Sequence, residues 1–197
     1  MIIPLNLPPP SKELMSAIMK VVDDSSFDHE LKRQMDHIQE NTVNSISHTF
    51  NISDEVILLT EEEFRPYFKD EIFIPSVGVL TNPTPNEKKS SFPPHADRTR
   101  IFALNFYIKE GGKHVTTVHY DKFHNLDAGP GTGKMYKYSD LTVASITHCK
   151  MQQWYALNVR QVHSVEDIEN VRLIYTLSFH HINIQNFLNK YSHYVHI

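Results

Sequence analysis

Val171-Arg172-Leu173-Ile174-Tyr175-Thr176-Leu177-Ser178-Phe179 is the stretch on which the reading of this chain turns. Strand alternation puts Val171, Leu173, Tyr175, Leu177 and Phe179 on one side, an apolar and aromatic face that requires a core. Arg172, Ile174, Thr176 and Ser178 take the other side. A guanidinium and two hydroxyls are an odd lining for a barrel strand unless an anion occupies its mouth. The guanidinium fork is the natural partner of a carboxylate, and a threonine hydroxyl can add a further hydrogen bond. The plainer alternative for Arg172 is an ion pair with a nearby carboxylate such as Glu166 or Asp167.

Outward from this strand, β-type runs recur at short intervals: Ile72–Leu80, Ile101–Ile108, Val115–Tyr120, Leu141–His148 and Gln153–Val159. Turns containing Gly, Asp or Asn, such as Glu110-Gly111-Gly112, separate them. Thr81–Phe92, rich in Asn, Pro, Lys and Ser, reads as a mobile loop. The first third of the chain has a different period. A Pro-rich arm over 1–10 precedes Ser11, which can cap a short helix to about Val22. Phe27–Phe50 reads as a longer helix, with Leu31, Met35, Ile38 and Ile46 at roughly helical spacing, and Glu61–Phe64 as one more turn before Pro66. Helices followed by closely spaced strands predict a mainly β protein with N-terminal helices (α+β). The expected form is an antiparallel sandwich or barrel with helices on its outside. A single domain over 1–197 is expected, with helical support over 1–70, the β core over 71–180 and a C-terminal extension over 181–197.

Composition narrows the function classes. Lys plus Arg is 19 and Asp plus Glu is 23, a net charge of −4, which favours neither a general nucleic-acid binder nor an anionic-membrane binder. The one cysteine, Cys149, can form no internal disulfide and no multi-thiolate zinc site, so a reducing, cytoplasmic setting is expected. No apolar run approaches the ~20 residues of a membrane span, and the start of the chain does not read as a signal peptide.

Two further features can act with Arg172. In Pro94-His95-Ala96-Asp97, residues two apart on an extended segment point to the same side, so the His95 imidazole and the Asp97 carboxylate can converge. His163 follows, where a strand runs into a turn, nine residues before Arg172. Two imidazoles and one carboxylate suit a divalent transition metal on one triangular face with three positions left open. A second His-x-Asp, at His119 and Asp121, is set aside because too few strands separate it from His163 for the two to meet; His119 is expected at the surface or facing substrate. Gly129–Lys134 lacks the P-loop spacing and reads as a flexible turn. Lys88, Lys89, Arg98 and Arg100 flank the expected mouth as solvated or steering charge.

The order His-x-Asp, distal His and then Arg, spanning about residues 72–180, resembles the 2-oxoglutarate/Fe(II)-dependent dioxygenase superfamily. The resemblance implies a double-stranded β-helix (jelly-roll) core with helices packed on one sheet. It also implies iron held by His95, Asp97 and His163, and 2-oxoglutarate held through its distal carboxylate by Arg172. Many members carry Ser two residues after the Arg. Here that position is Ile174, so the hydroxyl would come from Thr176 or another strand. If strand parity persists from His95, Asn105 and Tyr107 face the same interior as further contacts to the 2-oxo acid. The implied activity uses Fe(II), 2-oxoglutarate and O₂ and releases succinate and CO₂ on hydroxylating a protein side chain, nucleobase or small metabolite. The alternatives are a non-catalytic jelly-roll structural or assembly protein, and a cupin-like metalloprotein that does not use 2-oxoglutarate.

Overall fold

Ser11 ends the Pro-rich arm and starts the first helix, its Oγ accepting from Leu14 N at 3.0 Å. Helix α1 (Lys12–Asp23) turns Leu14, Ala17 and Ile18 inward. Ser53 caps α2 (Asp54–Phe64) in the same way. The two helices are joined at their ends, because Ser11 donates through both its backbone N–H and its hydroxyl to the Glu63 carboxylate. The computed structural model describes residues 1–24, 45–83, 89–123 and 133–195. Most of the helix expected over Phe27–Phe50, the middle of the 81–92 loop and residues 129–132 of the Gly-rich turn lie outside them.

Eleven strands are described: β1 (Ile2–Leu5), β2 (Ile46–Phe50), β3 (Phe73–Thr81), β4 (Ser90–Asp97), β5 (Phe102–Glu110), β6 (Thr116–Phe123), β7 (Gly133–Met135), β8 (Leu141–Thr147), β9 (Trp154–Leu157), β10 (His163–Ile168) and β11 (Arg172–Phe179). They form two antiparallel sheets, one ordered β1-β9-β5-β11-β3-β2 and the other β7-β4-β10-β6-β8. From β3 to β6 the chain alternates between the sheets, and from β8 to β11 it does so again, a winding that fits a jelly roll. The helices cover one face of the six-stranded sheet. There α1, α2 and α3 (Ile184–Lys190) bury Ile18, Val56, Phe64 and Phe187 against Val77, Phe102, Trp154, Tyr175 and Phe179. The C-terminal extension is thus partly a helix on this core, with Phe187 ring-to-ring against Phe102 and Phe179. No described helix is long and apolar enough to cross a membrane.

Three sequence expectations are corrected. Residues 46–50 are a strand, not the end of a helix. Ile46 and Phe50 are buried while Ser47 and Thr49 are exposed, a two-residue period that pairs β2 with β3. The expected loop over Thr81–Phe92 is shorter, because β3 runs through Thr81 and β4 starts at Ser90. The prolines of β4 are accommodated where its register with β10 is irregular. His163 opens a strand instead of closing one. The turn comes before it, where Asn158 Oδ1 accepts from the backbone of Arg160 (3.2 Å) and Gln161 (3.3 Å).

Candidate functional site

The helix-free face of the large sheet looks onto the small sheet across a cavity of about 180 Å³. Arg172, Asn105, Tyr107 and Thr176 line it from one sheet, and His95, His163 and Thr117 from the other. Alternation along β11 produces the first wall: Leu173, Tyr175 and Leu177 enter the helix-covered core, leaving Arg172, Ile174 and Thr176 for the cavity.

Arg172 is 1% exposed. Nη2 donates to Thr117 Oγ1 at 3.0 Å, and the guanidinium lies over the Tyr107 ring, 4.6 Å from its centroid. Nε and Nη1 are buried without a hydrogen-bond partner among the described residues. Neither carboxylate considered from the sequence reaches it. Glu166 accepts from Tyr138 and Ser164, and Asp167 faces Lys89 at 3.8 Å. The hydroxyl on the guanidinium comes from Thr117, on another strand. Thr176 donates to Asn105 Oδ1 at 3.0 Å instead, which leaves the Asn105 amide N–H groups as the donors. A buried guanidinium with two donors lacking a hydrogen-bond partner among the described residues, walled by hydroxyls, an amide and the Cys149 thiol, can receive an anion.

At the other end, His95 and His163 are cross-strand partners with ring centroids 4.2 Å apart. Each Nδ1 lies on the carbonyl two residues earlier: Pro93 O at 2.9 Å for His95 and Gln161 O at 3.0 Å for His163. A carbonyl can only accept, so each Nδ1 carries the hydrogen and each Nε2 presents a lone pair, the tautomer of a metal-ligating imidazole. Burial lowers the pKa of both rings against the opposing pull of those carbonyls. Both are therefore neutral at pH 7, as ligation needs.

Ala96 packs into a cluster with Val118 and Tyr120, so alternation puts His95 and Asp97 together on the other side of β4; His95 lines the cavity, and Asp97 is not among its lining residues. The Asp97 carboxylate is engaged by Arg100, whose Nε and Nη2 lie 2.8 and 2.5 Å from Oδ2. No three His, Cys, Asp or Glu side chains among the described residues converge as a ready metal group. The structure thus brings His95 and His163 together and pairs Asp97 with Arg100.

Sequence reasoning missed three residues here. Thr117 could have been found by extending alternation along β6 from an inward His119. Arg100, read as solvated or steering charge, is an ion-pair partner three residues beyond Asp97. His119 is not at the surface: it is fully buried, directly opposite His163, with ring centroids 5.6 Å apart. The strand count used against it fails because β10 returns between β4 and β6 and pairs with both. Burial, with the Met1 amino group adding to it, pushes the His119 pKa down to about 3.

No family model matches the chain, and no curated protein matches it. Solved structures do. AviO1 from Streptomyces viridochromogenes Tue57 is 12% identical, with 89% of this chain and 90% of that one covered and a TM-score of 0.48. A 2OG-Fe(II) oxygenase family oxidoreductase from Burkholderia pseudomallei is 10% identical over 90% of this chain and 94% of its own, with a TM-score of 0.42. The Escherichia coli ribosomal oxygenase YcfD is 11% identical over 80% of this chain, with a TM-score of 0.44, and the match spans 37% of its length.

Proposed function

We propose that this chain is an Fe(II)- and 2-oxoglutarate-dependent dioxygenase that hydroxylates a substrate still to be identified, releasing succinate and CO₂. The observation that carries the reading is the buried Arg172, with no carboxylate partner among the described residues, in one cavity with two imidazoles whose Nε2 atoms carry lone pairs. A small diacid fits that polarity, with one carboxylate for the guanidinium and a 2-oxo acid end for a metal.

His95 and His163 would hold the metal, with Asp97 as the third ligand. Arg172 and Thr117 would bind the distal carboxylate, and Asn105 and Tyr107 would line the path between the two ends. The Tyr107 ring under Arg172 fixes the fork in place. Burial also holds the Tyr107 hydroxyl in its protonated form, hydrogen-bonded to Cys149 and Asn105. Iron loaded with 2-oxoglutarate and O₂ would supply the oxidising chemistry. The protein would supply two neutral imidazoles and a carboxylate, an anchor that sets the diacid's direction, and walls that exclude water.

The test is an anaerobic Fe(II) titration with and without 2-oxoglutarate. A weak visible charge-transfer band is expected from the wild type in the presence of both, and its loss in Arg172→Ala and His163→Ala. No band from the wild type would leave the non-catalytic and cupin-like readings.

A further inference from the structure

We infer that Arg100 is a positioning residue for the metal centre, pinning Oδ2 of Asp97 so that Oδ1 alone is offered to the cation. The inference rests on the reading of His95, Asp97 and His163 as the ligand set. Both guanidinium contacts, Nε at 2.8 Å and Nη2 at 2.5 Å, fall on Oδ2, and among the described residues none falls on Oδ1. A carboxylate free to rotate can chelate through both oxygens. One held on a single oxygen binds through the other and keeps a coordination position open for ligands that must enter together.

The pin is itself fixed. The Arg100 carbonyl accepts from Arg160 Nε at 2.8 Å, and Asp97 N–H donates to the Val159 carbonyl at 2.9 Å. Both anchors belong to the turn that delivers His163, so the segments carrying all three ligands are tied at one corner. Arg100 also lines the cavity with His95 and His163. As a plain ion pair it would contribute little, since the Arg100 side chain is 32% exposed. Its weight lies in what it does to Asp97.

The experiment is an anaerobic Co(II) titration, read by ligand-field absorption and by affinity, on wild type, Arg100→Gln, Arg100→Lys, Asp97→Asn and the Asp97→Asn/Arg100→Gln double variant. Arg100→Gln is expected to weaken Co(II) binding by about 10–100-fold and to change the ligand-field spectrum. Arg100→Lys should recover part of the loss, and Arg100→Gln should cost nothing further once Asp97 is Asn. Unchanged or tighter binding in Arg100→Gln, or an equal loss in both backgrounds, would overturn the role of Arg100 and leave the ligand reading standing. A wild type that binds no Co(II) would overturn both.

Discussion

Arg172 is a side chain whose cost to the fold and whose proposed use in binding pull in opposite directions. A guanidinium taken out of water with two donors unused is a cost to the fold, and Thr117 and the Tyr107 ring offset only part of it. Replacing it by an apolar residue of similar length removes the buried charge and keeps the stem's packing. Arg172→Met is therefore expected to melt no lower than wild type when no ligand is present. Its affinity for 2-oxoglutarate, measured with Mn(II) bound, should fall by at least about 30-fold, the low end of what a lost buried charge partner costs. A clear drop in ligand-free melting temperature would mean that Arg172 is structural and that the anion reading has mistaken its purpose.

At the scale of elements, the turn after β5 makes room for that side chain. Gly111 has φ +92°, and a Cβ there would lie 2.7 Å from Arg172 Cβ. Its carbonyl accepts from Glu169 and Asn170, binding the turn to the one that leads into β11. Gly112, at φ +136°, abuts the Glu169 side chain instead. Alanine at either position is expected to cost about 1–3 kcal/mol from backbone strain. Only Gly111→Ala should also weaken 2-oxoglutarate binding; equal affinities in the two variants would detach the turn from the site. The sequence announced this turn through its paired glycines, and the two faces of β11 through strict alternation, because both are local signals. It could not show that the missing Cβ serves Arg172, since that contact crosses about sixty residues of chain. The same limit hid His119, whose neighbour His163 lies on a returning strand. It hid β2 as well, because the spacings Ile38–Ile46 and Ile46–Phe50, eight and four residues, suit a helical and an alternating period alike. It also concealed Arg100, where charge without coordinates says nothing of which oxygen it holds.

For the whole molecule, the site divides its labour between the sheets. His95, His163 and Thr117 belong to the small sheet, and Arg172, Asn105 and Tyr107 to the large one, with the helix-covered core behind only the latter. A diacid anchored on Arg172 and chelating a metal on the two histidines would bridge the sheets, so metal and 2-oxoglutarate should each strengthen the other's binding. Each ligand at about 100 times its dissociation constant adds about 2.7 kcal/mol. For a chain of this length that is a rise of roughly 5–10 °C in melting temperature. In thermal melts, Mn(II) and 2-oxoglutarate added together at fixed concentrations should raise the midpoint by more than the sum of their separate effects. Chelation of the metal should return the protein to the behaviour seen with 2-oxoglutarate alone. In Arg172→Ala the excess should vanish while the effect of Mn(II) alone survives, because the metal ligands sit on the other sheet. Strictly additive shifts in the wild type would mean that the two ends of the cavity bind independently, and a bridging diacid would then be the wrong occupant.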